Sequence, residues 1–208
     1  MALPQTGLFQ VTPDPASTVF LTPDSYTAYN TISYERGGVA IGDGSAGING
    51  YNWVCRYDSA TGNIYLKNMD TGVETLIITV LDIVLMSFAF DSNMRPVIVY
   101  KLLNDECYFY WYDTITEDYT TTQLPVGSDY PLVCHDDKRR IGQSANYSDV
   151  LIFYLYNNKI YNLVQRQRYQ TANIQATVTP GTVLIKVGMC DDLRLKIELS
   201  NGTLVSSP

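Results

Sequence analysis

The sequence predicts an all-β fold of repeated antiparallel units, and three observations carry that expectation. Short runs of β-branched and aromatic residues alternate with Asn-, Asp- and Gly-containing turns along most of the 208 residues. This is the pattern of hairpins. Glycine, proline and β-branched residues interrupt every window long enough for an amphipathic helix. A strand–turn–strand phrase also returns at intervals of 43 and 53 residues, marked by Tyr65, Tyr108 and Tyr161.

Composition sets the outer limits. Hydrophobic residues make up 46% and charged residues 17%, a globular balance with fewer charges than the roughly 25% of ordinary soluble domains. Seventeen tyrosines supply most of the aromatic content, so hydroxyls and amides carry much of the surface polarity. A net charge of −7, with neither half of the chain basic, argues against free nucleic acid as a ligand. The start lacks the basic and apolar regions of a secretory signal. The most apolar stretch, 76–90, is broken by Thr79, Asp82 and Ser87 and is shorter than the ~18–20 residues of a spanning helix. It reads as two buried strands around a turn at Asp82, and no membrane insertion is expected. Cys55, Cys107, Cys134 and Cys190 lie far apart, without zinc-like spacing. They read as buried thiols of a chain made in a reducing cytoplasm, with a disulfide pair as the alternative.

Residues 1–36 stand apart from the rest. They carry Pro4, Pro13, Pro15 and Pro23, and Val11-Thr12-Pro13-Asp14 is echoed by Leu21-Thr22-Pro23-Asp24. Proline fixes φ and Asp closes a turn through its side chain, so two short extended pieces are expected. Such an extended arm is suited to docking, with Pro13, Phe20 and Pro23 as candidate contact residues. The glycine-rich run 42–47 then marks a junction.

Residues 37–208 form the β-repeat domain, in units of approximately 38–80, 82–125, 131–177 and 181–205. The first reads as strand 52–57, turn 58–62, strand 63–68, turn 70–72 and strand 74–78. The same grammar returns over 96–122, over 149–171 and, shortened, over 193–205. The apolar runs 84–90 and 131–134 lie between copies and read as the innermost strands of four-stranded units. A period near 40–50 residues is that of propeller blades. Two architectures satisfy the arithmetic: a small β-propeller closed by a strand of the arm such as Val19-Phe20-Leu21, and a propeller-like open array whose edges neighbouring subunits cover.

Candidate chemistry is sparse. His135-Asp136-Asp137 joins the only histidine to carboxylates, but no nucleophile elbow accompanies it, and Lys138-Arg139-Arg140 makes the stretch a charged turn. The acidic turns at 91–93, 113–118 and 191–192 lack the calcium-loop pattern and read as hairpin turns. The glycines of 42–47 lack the Lys-Ser/Thr of a phosphate loop. No enzymatic activity, metal or cofactor is expected. Arg166, Arg168 and Tyr169 form a small basic–aromatic patch suited to an acidic partner surface. Strand alternation places Tyr108, Tyr110 and Tyr112 on one face and Phe109 and Trp111 on the other. One face packs the core; the other shows a tyrosine row suited to sheet packing or to a protein or glycan contact.

Two stretches resemble the virion proteins of tailed bacteriophages. One runs from Asp149 to Tyr161 and on through Gln165-Arg166-Gln167-Arg168-Tyr169, a strand–turn–strand unit ending in a Q-R-x-R-Y run. The other is 87–97, whose Phe90-Asp91-Ser92-Asn93-Met94-Arg95-Pro96 is similar to an F-D-x-x-x-R-P blade opener. Together they fall in two of the four units. The resemblance implies a non-enzymatic tail or tail-tip component, made in the bacterial host cytoplasm and held in the virion. Its partners would be other tail proteins and symmetric copies of itself, with the arm reaching a neighbour. An acidic lining would let DNA slide past without sticking. The alternative is a glycan- or receptor-binding propeller that uses exposed Tyr and Trp rings on a host surface.

Overall fold

The computed structural model describes residues 53–68, 71–91, 93, 95–136, 149–189 and 195–206. The arm with Pro13, Phe20 and Pro23, the glycine junction, residues 137–140, Cys190 and the 191–192 turn lie outside the described residues.

Among the described residues fourteen strands form four antiparallel sheets in chain order. Sheet I contains β1 (Trp53–Asp58), β2 (Asn63–Asn68) and β3 (Glu74–Thr79). Sheet II contains β4 (Ile83–Phe90), β5 (Pro96–Leu102), β6 (Cys107–Asp113) and β7 (Asp118–Gln123). Sheet III contains β8 (Asp129–Asp136), β9 (Asp149–Tyr156), β10 (Lys159–Val164) and β11 (Ala172–Thr177). Sheet IV contains β12 (Leu184–Met189), β13 (Leu195–Leu199) and β14 (Leu204–Ser206). Within each sheet every strand lies beside its sequence neighbour, antiparallel to it. Among the described residues one 3-10 turn, Gln165–Gln167, interrupts the β pattern.

The turns follow from their residues. In the β1–β2 turn, Gly62 has φ +74°, which only glycine adopts without strain, and its N–H donates to the Asp58 carbonyl at 2.7 Å. Asp58 Oδ1 accepts from the Ala60 N–H at 3.1 Å, the self-closing bond that makes Asp a turn residue. Asn157 and Asn158 both take positive φ between β9 and β10. Two such residues between paired strands are the tight-hairpin signature.

Successive sheets stack through three apolar clusters. Cys55, Ile64 and Leu66 of sheet I meet Met86, Phe88 and Ile98 of sheet II. Val97, Val99 and Phe109 on the opposite face of sheet II meet Val150, Ile152 and Leu163 of sheet III. Leu132, Phe153 and Ile160 meet Leu184, Val187 and Ile197 of sheet IV. The first strands lie side by side, β4 beside β8 and β8 beside β12. No core cluster joins sheet I to sheet IV among the described residues.

Sheets II and III are thus covered on both faces, which explains why β4, β5 and β9 read as nearly unbroken apolar runs. Burial fades toward the outer strands, where β7 is Thr-rich and largely exposed. The stretch 76–90 divides the same way. Its second half, β4, is buried as expected, while β3 is an outer strand whose Leu76 is exposed. Cys55 and Cys107 are buried free thiols, and Cys134 is buried as well. Burial pushes the Cys107 thiol up to about 12, where it is inert as a nucleophile. No helix of the described residues is long and apolar enough to cross a membrane.

Candidate functional site

The Gln165–Tyr169 stretch meets the Phe109 and Trp111 face of β6 at the junction of sheets II and III, while the β6 tyrosines lie on the other face, toward sheet I. The geometry starts with Asp91, just after β4. Its Oδ1 accepts from the N–H groups of Asn93 and Arg95 at 2.8 and 2.9 Å, and its Oδ2 from Arg95 Nε at 2.8 Å. Asp91 thus folds back onto Asn93 and Arg95 through its own carboxylate, as Asp does when it closes a turn. Gln165 then reaches from the end of β10 to donate to Asp91 Oδ2 at 3.2 Å, and its Oε1 accepts from the Val150 N–H at 3.2 Å. One amide side chain thus ties sheet III to sheet II.

After the 3-10 turn, Arg168 and Tyr169 both take left-handed backbone, φ 52° and 57°. Two successive non-glycine residues there cost about 1–2 kcal/mol each, so surrounding contacts must enforce the geometry. Those contacts are visible. The Arg168 guanidinium forms a two-pronged pair with the Asp113 carboxylate at the end of β6, with Nε to Oδ1 at 3.2 Å and Nη2 to Oδ2. This pair, with the Ile115 N–H, holds the Asp113 carboxyl below the usual carboxylate range. Tyr169 is only 6% exposed, packed edge-on against Phe109 at 5.3 Å and Trp111 at 5.1 Å. Its hydroxyl has no hydrogen-bond partner, and burial, with Asp91 and Asp149 nearby, raises its pKa well above the usual tyrosine value. Arg166 caps the opposite side: its N–H donates to Asp149 Oδ1 at 3.0 Å and its Nε pairs with Oδ2 at 3.0 Å.

The expected basic–aromatic patch is therefore divided. Tyr169 lies in the interior because the left-handed pair turns it inward, away from any partner. Arg168 keeps 35% of its side chain exposed and Arg166 53%, so Arg166 is the more presented of the two.

The β6 tyrosines share one face, as strand alternation requires, but they are half-buried rather than an open row. Sheet I covers their inner end, since Tyr108 and Tyr110 pack against the first core cluster. Tyr108 stacks on Tyr100 at 5.7 Å and donates its hydroxyl to Glu106 Oε2 at 3.0 Å. Tyr110 lies parallel to Tyr119 at 4.8 Å, and Tyr112 meets Tyr119 edge-on at 5.2 Å. The Arg95 guanidinium sits 4.3 Å over the Tyr112 ring. Burial pushes Tyr100 and Tyr119 up to about 12. Tyr119 and Tyr100 belong to this face without having been singled out from the sequence, and Arg95 joins it from the F-D-x-x-x-R-P stretch. The hairpin register would have found Tyr119, because Tyr112 and Tyr119 are directly opposed around the 114–117 turn.

Chemically the junction is a structural clamp with aromatic surface beside it. Among the described residues no group of three or more His, Cys, Asp or Glu side chains comes together to hold a metal. No protein-family model, curated protein or solved structure matches the chain.

Proposed function

We propose that the chain is a non-enzymatic structural component of a bacteriophage tail, in the tail-tip, adaptor or fibre-attachment region. It would work as a propeller-like array that completes its surface with other virion proteins and further copies of itself. The observation that carries the assembly reading is unequal strand count: sheets II and III have four strands, whereas sheets I and IV show three among the described residues. Strand edges left open invite pairing or cover by neighbours. The tail assignment draws on the two stretches similar to tailed-phage virion proteins. Their contact through Gln165 and Asp91 supports reading them as parts of one unit. Mass spectrometry of purified virions tests the proposal: stoichiometric copies are expected, and their absence overturns it.

A second reading is glycan or receptor binding, favoured by the parallel Tyr110 and Tyr119 rings beside Tyr112. Aromatic faces of this kind suit contact surfaces. Glycan-array binding lost in Tyr110→Ala, with the fold intact, would select it.

A further inference from the structure

The end of the sheets opposite the Arg166–Asp149 clamp carries a different kind of surface. Antiparallel order brings the β3–β4 connection, the β5–β6 turn and the β7–β8 connection to that end. Each raises one large apolar side chain into solvent: Leu81 is 60% exposed, Leu103 72% and Val126 82%. Isolated exposed apolar residues are ordinary, but a set on adjoining loops is a contact signature.

These three loops are laced together. The Leu103 N–H donates to the Asp82 carbonyl at 2.8 Å, joining the first two. The Lys101 ammonium, at the base of the β5–β6 turn, pairs with Asp105 at 2.7 Å and with Asp129 at 2.8 Å, joining the second to the third. Burial works against the charge on Lys101, yet these two carboxylates outweigh it and raise its pKa. Cys107 Sγ also donates to the Ser128 carbonyl at 3.2 Å, fastening the third loop to the start of β6. The loops are thus preorganised, which lowers the entropic cost of docking.

Charge selects the partner. Asp82, Asp105, Glu106 and Asp129 lie on or directly beside these three loops, against Lys101, whose ammonium is already committed. A second copy presenting the same face would bring carboxylates against carboxylates. At the opposite end, Arg95, Arg166 and Arg168 are engaged by Asp91, Asp149 and Asp113. We propose that Leu81, Leu103 and Val126 form a docking rim for a different protein, one presenting an apolar patch ringed by Lys or Arg. This rests on the assembly reading above and names the face and partner chemistry it would use.

The test uses the purified full chain and a short peptide built of alternating Lys and Leu pairs, with a Glu–Leu peptide as control. Amide chemical shifts locate the contact. The expected result is binding of the Lys–Leu peptide alone, with shifts at 80–83, 102–106 and 125–129. The exposed double variant Leu103→Ser, Val126→Ser should weaken binding about tenfold, and Leu76→Ser, on β3, should not. Absent binding, shifts centred elsewhere, binding of the Glu–Leu peptide to the same loops, or equal weakening by Leu76→Ser overturns the proposal. Because no virion is involved, the rim can fail while virions still contain the chain, and the reverse.

Discussion

Gln165 donates a hydrogen bond to the carboxylate of Asp91 across 74 residues of sequence, at 3.2 Å. The bond joins the end of β10 to the turn after β4, and the oxygen of the same amide accepts from the Val150 N–H near the start of β9. Asp91 is buried and already serves two backbone N–H groups and Arg95, so the contact sits on a charged group within the fold.

Removing the two partners should therefore have unequal costs. Gln165→Ala should destabilise by about 1.5–3 kcal/mol, the value of a bond to a charged group. Asp91→Ala strands Arg95 and two turn N–H groups and should cost ~3–5 kcal/mol. Urea unfolding of both variants and of the double variant measures this, and non-additivity of at least ~0.5 kcal/mol is expected for residues in contact.

The Asp113–Arg168 pair makes stability pH-dependent. Hydrogen bonding by Arg168, then by the Ile115 N–H, lowers the folded-state pKa of Asp113. A depressed carboxyl contributes stability that is fully present above its unfolded value of about 4. That contribution is lost as pH falls through the lower folded value. The urea midpoint of Asp113→Asn should accordingly fall less between neutral and acidic pH than that of the unchanged chain.

Tyr169 separates packing from hydrogen bonding. Its ring packs against Phe109 and Trp111, but its hydroxyl is buried without a partner. Tyr169→Phe keeps the ring and removes the orphan group, so its stability should lie within about 1 kcal/mol of neutral, on the stabilising side. Tyr169→Ala should cost ~3–5 kcal/mol. Equal losses in thermal unfolding would show that the hydroxyl has a partner after all.

Two glycines with one backbone angle should respond differently. Gly62 and Gly72 both have φ +74°. A Cβ on Gly62 would lie 2.9 Å from the Val80 carbonyl oxygen and 2.8 Å from Leu81 Cδ2, whereas Gly72 has open space around it. Gly72→Ala should cost about 1 kcal/mol, the backbone contribution alone. Gly62→Ala adds a clash with the chain that leads into sheet II and should cost at least about 2 kcal/mol. Thermal melts of the two variants compare them directly.

The all-β character and the hairpins were legible in the sequence because they are local. The 58–62 turn and the period-2 alternation set the β1–β2 register, with Trp53 opposite Asn68 and Asp58 opposite Asn63. Alternation likewise separated Phe109 and Trp111 from the three β6 tyrosines. It could not say which face another sheet covers. Sheet II is covered on both, so the tyrosine row became a half-buried layer rather than an open platform. Nor could local patterning turn Tyr169 inward. That depends on two left-handed residues held by Asp113, Phe109 and Trp111 from a strand more than fifty residues earlier. A period of two places side chains on faces and glycine or Asp places turns, whereas burial, ion pairing and strain arise from contacts that exist only once distant strands have stacked.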